Sequence, residues 1–516
     1  RRERPMTDPE QRMEPQLGGG RWRQTVSGRE PSLGGDRRFD LQVWGKLIDP
    51  HWSAKEALIA ELSSPLCELY ASLLIKILPE GSSFSQSLDG GAVWSGRYTV
   101  EQRAAAAYSL GLIGARLGGD FATTLVDPLL VYLNSREDEQ VRCEVAQALG
   151  LLGDGRAEGP LMQAMAAGGW RFRLAAIRAL GQVGQGRTLE LLEHLQQGGE
   201  SLNEATAALE ALGVLGSRLG GRQRREIFDT LMQIFVRGAG PSRCAAARAL
   251  GLLGDSRALD ALIQAAIHGR AELQCAAVQA LGMLGDPHAV PPLIGVLTAS
   301  GYTARRDSVE ALIHIGQAAV GPALAVLRHP DPEVRCAVIE VLGKVRAAEA
   351  VEALIDILDD EETDVRQAAV YALGVLGDRQ AVEPLVRMLI DSDSVVRKEA
   401  AVMLGGFGDG RAVGPLCLAL WDIDMTVRWF AAYALGTLGD PRAVRSLSQV
   451  LGDRSEHVAN TAADSLVRIG DASVPVLAEC ARQRKRAVQE LALGALQRIG
   501  TPAAQAALDG LGSSSA

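Results

Sequence analysis

Cysteine and histidine are the side chains of this sequence best suited to hold a metal or attack a substrate, and their spacing disfavours both uses. The seven cysteines (Cys67, Cys143, Cys244, Cys275, Cys336, Cys417 and Cys480) include no CxxC pair. Four of them, Cys143, Cys244, Cys275 and Cys336, recur at one slot of a repeat set out below. Neighbouring copies of that slot should stand about 9–10 Å apart, the usual helix-packing distance. Disulfide Cα atoms lie roughly 4.4–6.8 Å apart, so Cys244 and Cys275 are not expected to bridge, and a shared metal fails on the same ground. These thiols read as small, half-buried hydrophobes. None of His51, His194, His268, His288, His314, His329 or His457 is followed by glutamate, and as a set they are not repeat-spaced. The sequence also lacks a GxxxxGKS/T phosphate loop, an HExxH helix and a GxSxG elbow. Short GxG strings such as Gly153-Asp154-Gly155 follow no strand. We therefore expect no catalytic residue, no metal site and no cofactor. One cationic cluster, Arg222, Arg224 and Arg225, has the chemistry for a small anion or an acidic partner; the plainer reading is a solvated charge run at a loop.

The elements that position these residues follow from composition and period. Aromatic residues make up only 4% of the 516, while alanine, leucine and glycine abound. That balance suits many closely packed helices better than one large core. The formal net charge is −9, with +3 in residues 1–38 (nine arginines against six acids) and −12 in the remainder. A general nucleic-acid binder would show the opposite excess, so nucleic acid is an unlikely partner. No apolar run approaches the roughly 18 residues of a membrane span. The N-terminus lacks the apolar core of a signal peptide. With an odd number of scattered cysteines, a reducing, cytoplasmic setting is expected.

One phrase recurs: "VRQAAVYALGVLGDRQAVEPLVRML" at 365–389, "VRKEAAVMLGGFGDGRAVGPLCLAL" at 396–420 and "VRWFAAYALGTLGDPRAVRSLSQVL" at 427–451. The glycine of its Ala-Leu-Gly triplet (Ser-, Val- or Met-Leu-Gly at three positions) falls at 111, 150, 181, 213, 251, 282, 343, 374, 405 and 436, and Ile313, Val467 and Gln497 fill the equivalent slots. From Gly251 onward the step is 30 or 31 residues. Each unit reads as two antiparallel helices. The first opens at an aspartate after Leu-Gly (Asp154, Asp255, Asp286, Asp378, Asp409, Asp440), with Pro287 and Pro441 at the first helical position. Aspartate there accepts from exposed first-turn amides, and proline has no amide to leave unpaired. The second opens at Asp138, Asp331, Asp393 or Asp424, four residues before the arginine of Val-Arg. On it, Val365, Ala369, Leu373 and Leu376 form a buried stripe, and Gly377 ends the helix. Two longer units contain near-identical insertions, "GARLGG" at 114–119 and "GSRLGG" at 216–221, expected at a loop edge.

These units resemble HEAT repeats, specifically the short variety first described in phycobilisome bilin lyases, over roughly 97–500. The resemblance implies an all-α, right-handed superhelical solenoid of about thirteen helical hairpins. Around it we expect a disordered basic tail at 1–38, atypical capping helices and a Ser/Gly-rich loop at 39–96, repeats over 97–510, and a tail at 511–516. In such arrays the second helix lines the concave face. Three residues before the reference glycine, a chemically varied column includes Arg178, Arg248, Glu310, Glu340, Tyr371 and Tyr433, with Trp429 one turn away from Tyr433. These are the candidate contacts for a protein or peptide partner, centred on the late aromatics Tyr371, Trp429 and Tyr433. The implied function is a non-catalytic scaffold or adaptor. The alternative is a bilin lyase- or isomerase-like protein whose partner is a large chromophore-bearing subunit. Two other relatives of the fold fit less well: deoxyhypusine hydroxylase needs the missing His-Glu pairs, and DNA-repair glycosylases need a basic face where this column mixes signs.

Overall fold

The computed structural model describes residues 41–49, 54–79, 83–87, 93–133, 138–198, 201–299, 301–483 and 485–512. The expected tail at 1–38 and residues 513–516 lie outside this set; residues 511 and 512 close the last helix, Pro502–Gly512. The chain divides into two compact units, Arg1–Leu253 and Gly254–Ala516.

Both units are all-α solenoid. In the first, the helices Leu41–Ile48, Lys55–Glu61 and Ser64–Ile75 precede a short β-hairpin, Ser83–Ser87 paired antiparallel with Val93–Arg97. The expected Ser/Gly-rich loop at 81–96 is thus a hairpin in its described part, its alternating small residues accepting a ladder. Five second helices follow: Val100–Leu117, Glu139–Leu152, Trp170–Val183, Leu202–Arg218 and Gly240–Leu253. Eight more build the other unit: Ala271–Leu284, Tyr302–Ile315, Pro332–Lys344, Thr363–Leu376, Ser394–Phe407, Met425–Leu438, Glu456–Ile469 and Arg486–Ile499. All thirteen reference slots fall inside these helices.

Aspartates start the elements as expected. Asp138, Asp331, Asp393 and Asp424 each accept an amide two residues on, at 2.7–2.9 Å. The Leu-Gly aspartates do the same, but what they open is a 3-10 turn, such as Pro441–Ala443 after Asp440, before the α-helix proper. An aspartate cap and a following proline suit either helix type, so the sequence could not separate them. The insertions also differ from expectation. "GARLG" and "GSRLG" extend the second helices to Leu117 and Arg218, and the next first helices start at once at Gly119 and Gly221. Ala, Arg and Leu favour helix, so the extra residues lengthen it rather than loop out.

Packing between repeats explains the reference glycine. A Cβ on Gly405 would lie 2.9 Å from the Ala434 Cα, and one on Gly436 would lie 2.8 Å from the Ser465 Cα. Neighbouring second helices therefore touch backbone to backbone. Gly405→Val should cost about 1–3 kcal/mol by overpacking, read as a shifted urea midpoint; an unchanged midpoint would mean the helices can part freely. The stripe is as expected at Val365, Ala369 and Leu373, all fully buried, while Leu376 is only half-buried.

An ion-pair ladder binds successive repeats in the second unit. The Val-Arg arginine folds back onto the end of its own first helix: Arg428 Nη1 donates to the carbonyls of Asp422 (3.0 Å) and Ile423 (3.3 Å). Its other edge reaches the next repeat, with Nε and Nη2 each donating to Asp453 at 2.9 Å. Arg366–Asp391 and Arg397–Asp422 repeat this fork, and Arg335 Nη2 meets Asp360 at 2.7 Å. Burial opposes charge on Asp391, Asp422 and Asp453, but the guanidinium and a backbone amide outweigh it and hold each carboxyl below the usual range.

Candidate functional site

The second-helix face of the second unit opens into a groove of about 880 Å³ across Tyr302–Ile315, Pro332–Lys344 and Thr363–Leu376, with Glu399 of the next second helix at its end. Its floor is small and apolar. Val309, Ala337, Ile339 and Ala372 are buried there, and Gly343 lets the second and third helices approach so closely that a Cβ would stand 3.1 Å from the Ala372 Cβ. Its rim is aromatic and charged. Tyr302 and Tyr371 are exposed, and Glu310, Glu340 and Tyr371 occupy the same slot in three successive repeats.

Six carboxylates line the groove (Glu310, Glu333, Glu340, Glu362, Asp364, Glu399) against three cations (Arg305, Arg306, Lys344). Arg305 is largely withdrawn from solvent, bridging Asp331 at 2.9 Å and Glu333, and donating to the Leu297 carbonyl. Lys344 lies 2.6 Å from Glu340, and Arg306 lies 3.6 Å from Glu310. Both are exposed pairs one helical turn apart, the kind worth only about 0–1 kcal/mol. Among the described residues, neither Glu362 nor Asp364 has a cation within salt-bridge distance. Cys336 stands in the wall, but burial first, then the Asp364 charge, pushes its thiol up to about 11, far from the thiolate a nucleophile needs. Nothing in the groove is arranged as an acid–base pair or an activated nucleophile. The arrangement suits reversible binding.

Of the seven expected contacts, three meet here: Glu310, Glu340 and Tyr371. Trp429 and Tyr433 do not line the groove. The Trp429 indole donates to Thr461 Oγ1 at 2.8 Å and its ring lies 4.5 Å from Phe430, while the Arg468 guanidinium sits 5.0 Å from the centre of the Tyr433 ring. Both are partly exposed and partly engaged with the next repeat. Trp429→Ala with Tyr433→Ala should cost about 1–2 kcal/mol, the sum of one hydrogen bond and one exposed cation–π contact. A loss above about 4 kcal/mol in a denaturant titration would make them core residues. In the first unit, Arg178 is exposed, and Arg248 pairs with Glu210 at 2.8 Å. Arg222, Arg224 and Arg225 lie in the first turn of the Gly221–Arg237 helix and face separate partners: Glu226 at 2.6 Å, the Leu253 carbonyl at 2.9 Å and the Gly221 carbonyl at 3.4 Å.

Sequence reasoning missed a set of exposed apolar residues in and beside the turns between first and second helices. Ile390, Leu418, Trp421 and Ile423 are all strongly exposed, Ile423 at 84%. Ile390 and Trp421 occupy one slot in consecutive repeats, where the preceding repeat has Asp359 and the following one Gly452. That turn column carries the signal for Ile390 and Trp421.

HEAT repeats match residues 126–213, 228–313, 320–405, 388–466 and 415–497. The chain belongs to the HEAT-repeat family. No curated protein matches its sequence. Among solved structures it is similar to Kap95p in complex with RanGDP, at 15% identity over 92% of this chain and 72% of that one, TM-score 0.46. It is similar as well to the karyopherin Kap121p, alone (12% identity) and bound to Nup53p (14%), each over 89% of this chain with TM-score 0.43. The chain spans 56% of the length of Kap121p. At these identities nothing about partners transfers. No helix among the described residues is long and apolar enough to cross a membrane.

Proposed function

We propose that this protein is a non-catalytic scaffold or adaptor that binds a protein or peptide partner along the second-helix face of its repeats. The observation that carries the reading is the groove itself, with its buried apolar floor, exposed tyrosines and weakly paired carboxylates. Tyrosine beside an apolar floor is a common anchor for protein contacts. A cytoplasmic setting belongs to the same reading; all seven cysteines are free thiols. The finer resemblance, to the short repeats of bilin lyases, rests on the repeat phrase alone. A chromophore-attachment role is less well supported, because bilins carry propionate carboxylates and the groove is lined by six carboxylates of its own.

Affinity capture from native lysate tests the proposal, with mass spectrometry and absorbance as readouts and Tyr371→Ala/Glu340→Ala as the comparison. A colourless protein held by the wild type and lost from the variant is the expected result. A captured subunit absorbing in the visible would favour the chromophore reading, and capture untouched by the substitutions would remove the groove from the account.

A further inference from the structure

We infer that the groove takes a basic segment in polyproline II conformation, with lysine or arginine at every third position. The inference rests on the peptide-binding reading above and specifies its ligand. Charge points to the sign: carboxylates outnumber cations on the lining two to one, and the most buried cation is already held by Asp331 and Glu333. A cationic ligand would replace Arg306 and Lys344 in their exposed pairs with Glu310 and Glu340, at little cost to the protein. An anionic ligand would meet the whole acidic surplus.

Geometry points to the spacing. Glu310, Glu340 and Tyr371 recur at one slot on adjacent second helices, and packed helices lie about 8–10 Å apart. A polyproline II chain has three residues per turn and rises about 3.1 Å per residue, so every third side chain returns to the same side about 9 Å further on. A β-strand alternates faces at every residue and would turn every second one of those side chains away. The first cation therefore meets Glu310, the next Glu340, and the third the face of the Tyr371 ring, which attracts cations through its quadrupole. The intervening residues lie over the apolar floor at Val309, Ile339 and Ala372.

Fluorescence anisotropy on the full chain tests this with labelled synthetic peptides. One carries lysine at every third position between prolines and alanines; a second has glutamate at those positions; a third has the same composition as the first with lysine at every second position. The lysine-third peptide should bind best, weaken as salt rises, and lose about tenfold on Glu310→Gln/Glu340→Gln, with the thermal midpoint unchanged. With Glu310 left in place, Glu340→Asp, which keeps the charge, should lose less binding than Glu340→Gln. Failure of the lysine-third peptide to bind, equal binding of the glutamate peptide, or indifference to the Gln substitutions overturns the inference; equal binding of the every-second peptide overturns its register. If the glutamate peptide binds and Tyr371→Ala abolishes that binding, the groove reading stands while the basic ligand falls. If Tyr371→Ala changes the binding of no peptide, the groove reading falls too.

Discussion

Arg428→Ala should destabilise the second unit by about 3–5 kcal/mol, among the largest effects of any single change outside the hydrophobic stripe. Arg428 is 4% exposed and its side chain satisfies two carbonyls of its own repeat and both carboxylate oxygens of Asp453 in the next. Removing it leaves a buried carboxylate without its cation, and that uncompensated charge is the source of the cost. Arg428→Met with Asp453→Leu should recover much of the loss, since an apolar pair of similar volume strands no charge. The same ladder sets a pH dependence. Asp391, Asp422 and Asp453 have folded-state pKa values below their unfolded ones, so their stabilisation is complete above the ordinary aspartate range near 3.9 and disappears as pH falls through the folded values. The urea midpoint should be level from neutrality to about pH 5 and drop steeply below about pH 4. A variant lacking the Asp453 charge should show a shallower drop; an identical acid limb would contradict the ladder's role.

Leu373→Ala is expected to cost about 2–5 kcal/mol through the lost transfer energy and the cavity left behind. Leu373 is fully buried between its own hairpin and the adjacent second helices. Because a solenoid repeat contacts only its neighbours, the damage should stay local. Hydrogen exchange should speed up over about 351–376 and the flanking repeats, while the first unit keeps its protection. A midpoint shift corresponding to less than about 1 kcal/mol would mean the stripe has been misplaced.

Much of this is legible in the amino-acid sequence. The helices, their aspartate caps and the stripe through Val365, Ala369 and Leu373 follow from a period that local chemistry repeats faithfully. The ladder is not legible there, although Arg366, Arg397 and Arg428 stand out as the arginines of the recurring Val-Arg pair. Each partner aspartate lies 25 residues on, in the turn of the next repeat, and only stacking brings the two together. Columns also reveal which residues face outward, but not where neighbouring side chains leave space. Trp429 and Tyr433 are outward-facing and aromatic, yet they lean on Thr461 and Arg468. The groove instead opens where Cys336, Ala337, Gly343 and Ala368 keep the wall and floor small, two to three repeats earlier. The three arginines at 222–225 form a cluster in sequence, but at about 100° of rotation per residue a helix sets Arg224 about 200° from Arg222.

Site-specific photocrosslinking in native lysate tests the central claim most directly, with a photoreactive amino acid at Tyr371 in the groove and, separately, at the exposed Leu418 of a first helix outside it. The account predicts a discrete protein adduct from position 371, suppressed by Glu310→Gln/Glu340→Gln, and none from position 418. An adduct from 418 with none from 371 would contradict it and move the partner surface to the exposed cluster around Trp421 and Ile423.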